Sequence, residues 1–251
     1  MAKALGVDIG GTGIKAAVVD TVTGELLTDR VKMYTPKGGE PEAVVETVLE
    51  VIEKVGGLDD GVPVGVCFPA VVKHGRTMSA ANVSKRWIGL EAEALFEKSL
   101  GRDITFINDA DAAGYAELHY GAAKGQQGLV ILTTLGTGIG SAFLYDGVLI
   151  PNTELGHLQM HGDSAEVRAS YGAKERGDLS WAKWAERLQE YYAYLEALFS
   201  PDLFVVGGGV SKNSDDFLPL LNITTPLVPA VHRNNSGIIG AAALAAIGFH
   251  A

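Results

Sequence analysis

The sequence predicts an α/β protein with mixed sheets, built as two similar halves. Short β-branched runs alternate with helical patterns along the whole chain. The tetrapeptide GTGI occurs at residues 11–14 and again at residues 136–139, each time between two apolar strands. Each second strand then runs into an aspartate and a turn, at Asp20 and at Asp146. The repeat indicates two related domains, each presenting a glycine hairpin to a common cleft.

The first half reads as five strands and three helices. Strands are predicted at residues 5–8, 14–19, 26–27, 62–68 and 104–107. Helices are predicted at residues 44–55, 90–100 and about 112–120. The first helix ends at the glycine pair 56–57, and its apolar stripe is formed by Val44, Val48, Val51, Ile52 and Val55.

The second half repeats this alternation. Strands are predicted at residues 129–134, 141–145, 148–150 and 203–206, and helices at residues 180–199 and 236–249. We expect one stripe of the long helix to face the core rather than a partner chain; it consists of Trp184, Leu188, Tyr191, Leu195 and Leu198. We place a smaller domain at residues 1–110 and a larger one at 111–236. The last helix, 237–251, is expected to pack back on the first domain.

Composition excludes several classes of protein. Lys and Arg total 20 against 30 for Asp and Glu, and this net charge of −10 disfavours nucleic-acid binding. Cys67 is the single cysteine, so an intramolecular disulfide and a multi-cysteine zinc site are excluded. No apolar run approaches the ~20 residues that span a bilayer, and the first residues lack the apolar core of a signal peptide. We therefore expect a cytoplasmic protein without a membrane partner.

The two glycine turns are candidate phosphate sites. A Walker loop is excluded because Gly-Lys is nowhere followed by Ser or Thr, and a strand rather than a helix follows the first turn. Glycine hairpins still bind anions through converging backbone N–H groups, with ordinary β-hairpin turns as the alternative. The predicted phosphate-binding residues are Gly10, Gly11, Thr12, Gly13, Lys15, Gly136, Thr137 and Gly138.

Opposed phosphate hairpins imply phosphoryl transfer, which needs a carboxylate near the attacking oxygen and a metal ion. Asp109 is the candidate base, because it follows a buried strand at the junction of the two halves. Its alternative role, an N-cap of the next helix, is equally compatible with the residue type. Asp8 ends the first strand and is the candidate ligand for hydrated Mg²⁺, or else a turn residue.

Glu154 and His157 lie three residues apart around a glycine. On a short helix or turn, the carboxylate and imidazole can grip neighbouring hydroxyl groups of one ligand. A polar surface turn is the alternative. His161 lies four residues beyond His157, but with no cysteine nearby a metal site ranks below sugar binding.

Taken in order, these motifs resemble the ROK family of sugar kinases. The matching segments are DIGGT at 8–12 with Lys15, NDA at 108–110, LGTGIG at 135–140, ELGH at 154–157 and GGG at 207–209. The resemblance implies an actin-like, ribonuclease-H-like ATPase/hexokinase fold with two similar domains around a sugar cleft. It implies that Asp109 is the base for the sugar 6-hydroxyl and that the protein is a homodimer. It further implies sugar contacts from Asn82, Asn108, Glu154 and His157, and a nucleoside seat at Gly207, Gly208 and Gly209.

One departure from the family pattern is informative. The cysteine-rich zinc loop that follows Glu-x-Gly-His in most members is missing, and Glu166 then matches the family's further sugar-binding glutamate. The shortened, zinc-free form resembles an actinobacterial branch of kinases that use polyphosphate or ATP. The implied reaction is phosphoryl transfer from polyphosphate and/or ATP, with Mg²⁺, to the 6-hydroxyl of glucose or mannose.

Two alternatives remain open at the level of sequence. The first is an ATP-dependent kinase for fructose or an N-acetylhexosamine. The second is a non-catalytic sugar-responsive regulator, which we disfavour because only seven residues precede Asp8 and leave no room for a helix-turn-helix. A polyanionic donor also needs a basic path, for which the candidates are Lys15, Lys85, Arg86 and Lys212.

Overall fold

The computed structural model describes residues 2–57, 59–81 and 83–250, so Asn82 lies outside the described residues. The chain forms two compact units. Unit 1 comprises Met1–Ala116 together with Asn235–Ala251, and unit 2 comprises Glu117–Asn234. The domain limits predicted from the sequence, with a boundary after residue 110, stay a prediction.

Helices and strands alternate along the chain. The strands are β1 (Lys3–Ile9), β2 (Ile14–Asp20), β3 (Val31–Met33), β4 (Val64–Phe68), β5 (Val72–Lys73), β6 (Arg76–Thr77), β7 (Thr105–Asn108), β8 (Leu129–Leu135), β9 (Ile139–Tyr145), β10 (Val148–Ile150), β11 (Gln159–Met160), β12 (Asp163–Ser164), β13 (Leu203–Gly207) and β14 (Leu227–Pro229). The α-helices are α1 (Pro41–Val55), α2 (Ala92–Leu100), α3 (Asp109–Tyr120), α4 (Ala165–Ala169), α5 (Tyr171–Arg176), α6 (Trp181–Phe199), α7 (Ser214–Phe217) and α8 (Ser236–Ala246). Short 3-10 turns lie at Lys85–Trp87, Leu155–His157, Gly209–Asn213, Leu218–Leu220 and Arg233–Asn235.

The two units contain sheets of the same topology. Unit 1 has the strand order β3-β2-β1-β4-β7, and unit 2 has β10-β9-β8-β13-β14. In each sheet the central hairpin is antiparallel, and its first strand also pairs in parallel with a later strand. The hairpin turns lie between the paired residues Ile9 and Ile14, and between Leu135 and Ile139. The internal repeat seen in the sequence is therefore a repeat of the fold.

The third strand was misplaced by the sequence prediction. Residues 26–27 were predicted, but the strand is β3, Val31–Met33, and Leu26 forms only an isolated bridge with Val19. The physical reason is that a side-chain hydroxyl accepts a hydrogen bond from a backbone N–H group that would otherwise pair with the neighbouring strand. The backbone N–H of Val18 donates to Thr28 Oγ1 at 3.0 Å, which ends regular pairing on that side of β2.

The predicted helical stripes face the hydrophobic cores of their units. In α1, four of the five stripe residues are buried and Val55 packs against the same core; the helix ends at Gly56, in the left-handed region at φ 118°. In α6, the first four stripe residues are buried in the second core. Leu198, the fifth, is 48% exposed, so the prediction is wrong for this residue.

Helix α8 packs unusually close to its neighbours in unit 1. A methyl group at Gly6 in β1 or at Gly65 in β4 would lie 1.9 Å from a main-chain carbonyl oxygen of α8. A methyl group at Gly240, within α8, would lie 1.7 Å from a carbonyl oxygen of α3. These contacts are backbone to backbone, so no side-chain rotation relieves an added Cβ. Among the described residues, no helix is both long and apolar enough to span a bilayer.

We predict that Gly65→Ala loses stability at or above the ~1–3 kcal/mol typical of overpacked cores, because the new methyl group overlaps the carbonyl of Ala241. Urea unfolding measures the effect. Gly136→Ala is the matched control: no atom lies within 4 Å of its added methyl group, and we expect a change below about 1 kcal/mol. Equal unfolding midpoints for the two variants would contradict the packing argument.

Candidate active site

Asp8, near the carboxyl end of the central strand β1, is held between a cation and a thiol. It lies opposite Lys15 in the β1–β2 ladder, and Lys15 Nζ donates to Asp8 Oδ2 at 2.7 Å. The other oxygen, Oδ1, lies 3.7 Å from Cys67 Sγ in the neighbouring strand β4. The Asp8 side chain is only 13% exposed. Both carboxylate oxygens of Asp8 are thus oriented by partners from the two adjacent strands.

The N-terminal turn of α8 approaches the same carboxylate. Gly237 is its second residue, and a methyl group there would lie 3.1 Å from Asp8 Cγ and 3.2 Å from Cys67 Sγ. Helix N-termini carry partial positive charge and favour nearby anions. Burial, and then the negative charges of Asp8 and Asp109, raise the pKa of the Cys67 thiol well above its usual range. The thiol therefore stays protonated and neutral beside the two carboxylates.

Asn108, rather than Asp109, caps helix α3. Asn108 is buried, and its Oδ1 accepts hydrogen bonds from the backbone N–H groups of Ala110 at 2.8 Å and Asp111 at 3.0 Å. Its Nδ2 donates to the carbonyl of Ala70 at 3.0 Å. The capping role that competed with catalysis for Asp109 is therefore filled by its neighbour, and Asp109 begins α3 as a half-buried carboxylate.

The first glycine turn is closed on itself and tied to the segment after β3. Gly10 N–H donates to the Gly13 carbonyl at 3.0 Å, and Thr35 Oγ1 donates to the Gly10 carbonyl at 2.5 Å. Gly11 and Thr12, at the tip, are exposed. The turn thus presents two exposed residues on a fixed frame, and backbone N–H groups of such glycine turns can bind anions.

The second glycine turn is supported by a carboxylate. Gly136 N–H donates to the Gly138 carbonyl at 3.0 Å, and Glu166 Oε2 accepts from Ile139 N–H at 3.2 Å. A methyl group at Gly138 would lie 2.4 Å from Glu166 Oε2, so this glutamate has its position only because residue 138 is glycine. Thr137, at the tip, is exposed.

Glu154, His157 and Glu166 form a carboxylate–imidazole–carboxylate cluster in unit 2. His157 Nδ1 lies 3.8 Å from Glu154 Oε2, and His157 Nε2 lies 3.9 Å from Glu166 Oε1. Burial raises the pKa of Glu154 above its ordinary value; the charge of Glu166 adds to this shift and that of His157 opposes it. The structure thus brings Glu166, which the sequence placed only by resemblance, to the Glu154–His157 pair that the spacing already indicated.

The described residues contain no group of three or more His, Cys, Asp or Glu side chains that could hold a metal ion. His161, the alternative partner of His157, is paired with Glu190 at 3.0 Å. Asp8 alone still suits Mg²⁺, because this ion is usually held by one or two carboxylates together with substrate phosphates and water.

The third glycine segment follows β13. Gly208 has φ 82°, and a methyl group there would lie 2.5 Å from the Leu135 carbonyl oxygen, so both its conformation and its surroundings require glycine. Ser211 Oγ donates to the Gly208 carbonyl at 2.8 Å and fixes the turn. Gly207 and Gly209 flank it, and Lys212 is exposed.

Three of the four cations suggested for a polyanion path already bind oxygen atoms of the protein itself. Arg86 is bound by Glu42 and by Glu40, and its hydrogen bond lowers the pKa of Glu42. Lys85 donates to the Ala80 carbonyl, and Lys15 is paired with Asp8 as described above. Arg86 and Lys15 are thereby charge-compensated, a property that the sequence did not indicate.

Sequence reasoning missed three supports of the site. Thr35, Cys67 and Gly237 lie far from the motifs along the chain, and only strand and helix packing brings them to Asp8 or to the first turn. The signal that was present, the glycine pair in SGIIG at 236–240, was interpreted only as part of an apolar helix.

The duplicated mixed sheet is the actin-like ATPase fold of sugar kinases. The chain belongs to the ROK family, whose model matches residues 4–174. It is 48% identical to the polyphosphate glucokinase of Mycobacterium tuberculosis over 238 residues, which cover 94% of this chain and 89% of that protein.

Solved structures show the same relationship. The inorganic polyphosphate/ATP-glucomannokinase of Arthrobacter sp. strain KM is 50% identical and superimposes with a TM-score of 0.97, covering 99% of this chain and 100% of that one. A ROK family glucokinase from Streptomyces griseus, solved with glucose and AMPPNP, is 24% identical with a TM-score of 0.82 over 98% of this chain and 100% of that one. This second likeness supports the fold alone.

We predict that Glu154→Gln stabilises the protein at neutral and alkaline pH. The folded-state pKa of Glu154 is raised, so the folded state loses stability relative to the unfolded state as the pH rises above the ordinary glutamate pKa. The loss is complete above the raised folded-state pKa, and the amide avoids this penalty. Thermal unfolding at pH 8 should give a higher Tm for the variant, and the gain should vanish near the ordinary glutamate pKa of about 4.3. Glu46→Gln, at an exposed position of α1, is the control and should show no such trend. A Tm difference independent of pH would refute the burial argument.

Proposed function

We propose that the protein is a polyphosphate glucokinase, which transfers a phosphoryl group from polyphosphate or ATP to the 6-hydroxyl of glucose. The relatives that match nearly the whole chain support this activity. The assignment of residues rests on the different positions of Asn108 and Asp109 at the start of α3. Asn108 caps the helix, and Asp109, the first residue of α3, places a half-buried carboxylate directly after the carboxyl end of β7.

Asp109 is proposed as the general base. A carboxylate oxygen of Asp109 takes the proton of the 6-hydroxyl while that oxygen bonds to the terminal phosphorus. The bond between this phosphorus and the bridging oxygen breaks, and the shortened donor leaves with the electron pair. Asn108 positions the base through its two hydrogen bonds to the first turn of α3. The neutral Cys67 thiol adds no further negative charge beside it.

The acceptor sugar is proposed to bind to Glu154, His157 and Glu166. Carboxylates accept hydrogen bonds from hydroxyl groups, and these two stand on opposite sides of one imidazole. Among the described residues, Asn108 Nδ2 donates one hydrogen bond, to the Ala70 carbonyl, and its second amide N–H is proposed to bind the sugar. Asn82, outside the described residues, completes the proposed set. Mannose is proposed as a second acceptor.

The donor phosphates are proposed to bind at the two glycine turns, with Thr12, Lys15 and Thr137 adding side-chain donors. Mg²⁺ is the proposed metal, held by Asp8 and the substrate phosphates. When bound, it neutralises negative charge on the transferred group. For ATP, the nucleoside is proposed to lie at the Gly207–Gly209 segment. The homodimer implied by the resemblance is also part of the proposal, and light scattering coupled to size-exclusion chromatography tests it.

We predict that Asp109→Asn lowers kcat by about 10²–10⁴-fold, the usual contribution of general-base catalysis, while glucose still binds. Glucose 6-phosphate formation and glucose titration calorimetry measure the two effects. Asp103→Asn, at an exposed carboxylate before β7, should retain wild-type kcat. Near wild-type turnover by the Asp109 variant would remove it from the mechanism.

A donor-by-acceptor matrix tests the activity itself. We expect glucose 6-phosphate from inorganic polyphosphate and from ATP, each with Mg²⁺, and weaker or no product from fructose and N-acetylhexosamines. If ATP gave product and polyphosphate gave none, the protein would be an ATP-dependent glucokinase. A preference for another hexose would contradict the proposal that glucose is the acceptor. The absence of any product would favour a sugar-binding regulator.

A further inference from the structure

Lys32 lies over the first glycine turn, although no motif includes it. It is paired with Lys15 across the β2–β3 ladder, on the outer strand of the sheet. A methyl group at Gly13 would lie 2.6 Å from Lys32 Cε and 3.6 Å from Lys32 Nζ. The stem of Lys32 therefore covers Gly13, and its ammonium group ends beside the turn.

The two lysines of this ladder pair differ in charge balance. Lys15 is bound to Asp8 at 2.7 Å, so its charge is largely compensated. Within the part of the chain that the structure describes, no carboxylate lies within 4.0 Å of Lys32 Nζ. The centroid of the Tyr34 ring lies 5.8 Å from Lys32 Nζ. Lys32 is thus an uncompensated positive charge at a turn proposed to bind phosphate.

The segment around Lys32 extends this positive charge along an open sheet edge. Residues 30–39 include Arg30, Lys32 and Lys37 and contain no acidic residue. All three cations are exposed: Arg30 directly precedes β3, Lys32 lies within it, and Lys37 lies in the turn that follows. Among the described residues, β3 has a strand neighbour on one side only. The net charge of the whole protein is −10, so this uninterrupted basic segment stands out as a local attraction for a polyanion.

We propose that Lys32 is a donor-binding residue that favours polyphosphate over ATP, with Arg30 and Lys37 extending the same contact line. The inference rests on the proposed use of polyphosphate as a donor. A polyphosphate chain carries charged groups well beyond the one transferred, and these can follow the basic edge of β3. ATP has only three phosphates and obtains the rest of its binding free energy from the nucleoside, so it gains less from this edge.

The test compares Lys32→Gln with Lys54→Gln, at an exposed position in the last turn of α1, and with the conservative Lys32→Arg. Initial rates of glucose 6-phosphate formation are measured with long-chain polyphosphate and with ATP. For Lys32→Gln we expect the polyphosphate KM to rise about three- to tenfold, as for loss of one charge-assisted contact, with the KM for ATP and for glucose nearly unchanged. Lys32→Arg keeps the positive charge and should retain the wild-type KM for polyphosphate.

Added salt provides a second readout. Screening weakens attraction between exposed charges, so wild-type polyphosphate KM should rise steeply with salt, and this rise should be shallower in Lys32→Gln. The inference is overturned if Lys32→Gln matches Lys54→Gln, or if the KM values for ATP and polyphosphate rise equally. Wild-type enzyme that makes no product from polyphosphate would instead refute the proposed donor, a result distinct from either of these. Unchanged urea unfolding of each variant excludes a folding defect.

Discussion

The candidate site in unit 1 depends on the close approach of helix α8 to the sheet. At Gly6, Gly65 and Gly240 the backbones of neighbouring elements are in direct contact, and no larger residue fits. This packing fixes the height of α8 above β1 and β4, and with it the position of Gly237 against Asp8 and Cys67. An added methyl group at any of these glycines would displace α8 and so change the position of Gly237 against the Asp8 carboxylate, since protein interiors are close-packed and transmit strain.

The same arrangement decides the electrostatics of the strand ends. Two carboxylates, Asp8 and Asp109, lie near one buried sulfur, and their charges together with burial keep Cys67 protonated. Asp8 is balanced by Lys15 and by the N-terminal end of α8. An ionised thiolate at Cys67 would add a third negative charge to those of Asp8 and Asp109 in a poorly solvated place. The neutral thiol is thus compatible with the proposed role of Asp109 as a general base.

The repeat, the sheets and the helix stripes could be predicted from the sequence because they depend on local periodicity. The third strand could not, because one hydroxyl, Thr28 Oγ1, competes with the ladder for the N–H of Val18. The sequence also did not decide which residue caps α3, since Asn108 and Asp109 are both suitable caps, and only the observed hydrogen bonds assign the cap to Asn108. The supports at Gly237 and Thr35 are long-range contacts without a sequence signal.

The two glycine turns show how a duplicated element acquires different chemistry from its surroundings. Their sequences are nearly the same, and both are closed by a hydrogen bond within the turn. The first turn is covered by the stem of Lys32 and tied by Thr35, and the second is buttressed by the carboxylate of Glu166, which also faces His157. Positive charge beside the first turn suits a long phosphate chain. At the second turn, the Glu166 carboxylate suits the hydroxyl groups of an acceptor, and the turn's backbone N–H groups are left for a phosphate. The asymmetry therefore comes from neighbouring strands and helices, and the turns themselves contribute the backbone N–H groups that both share.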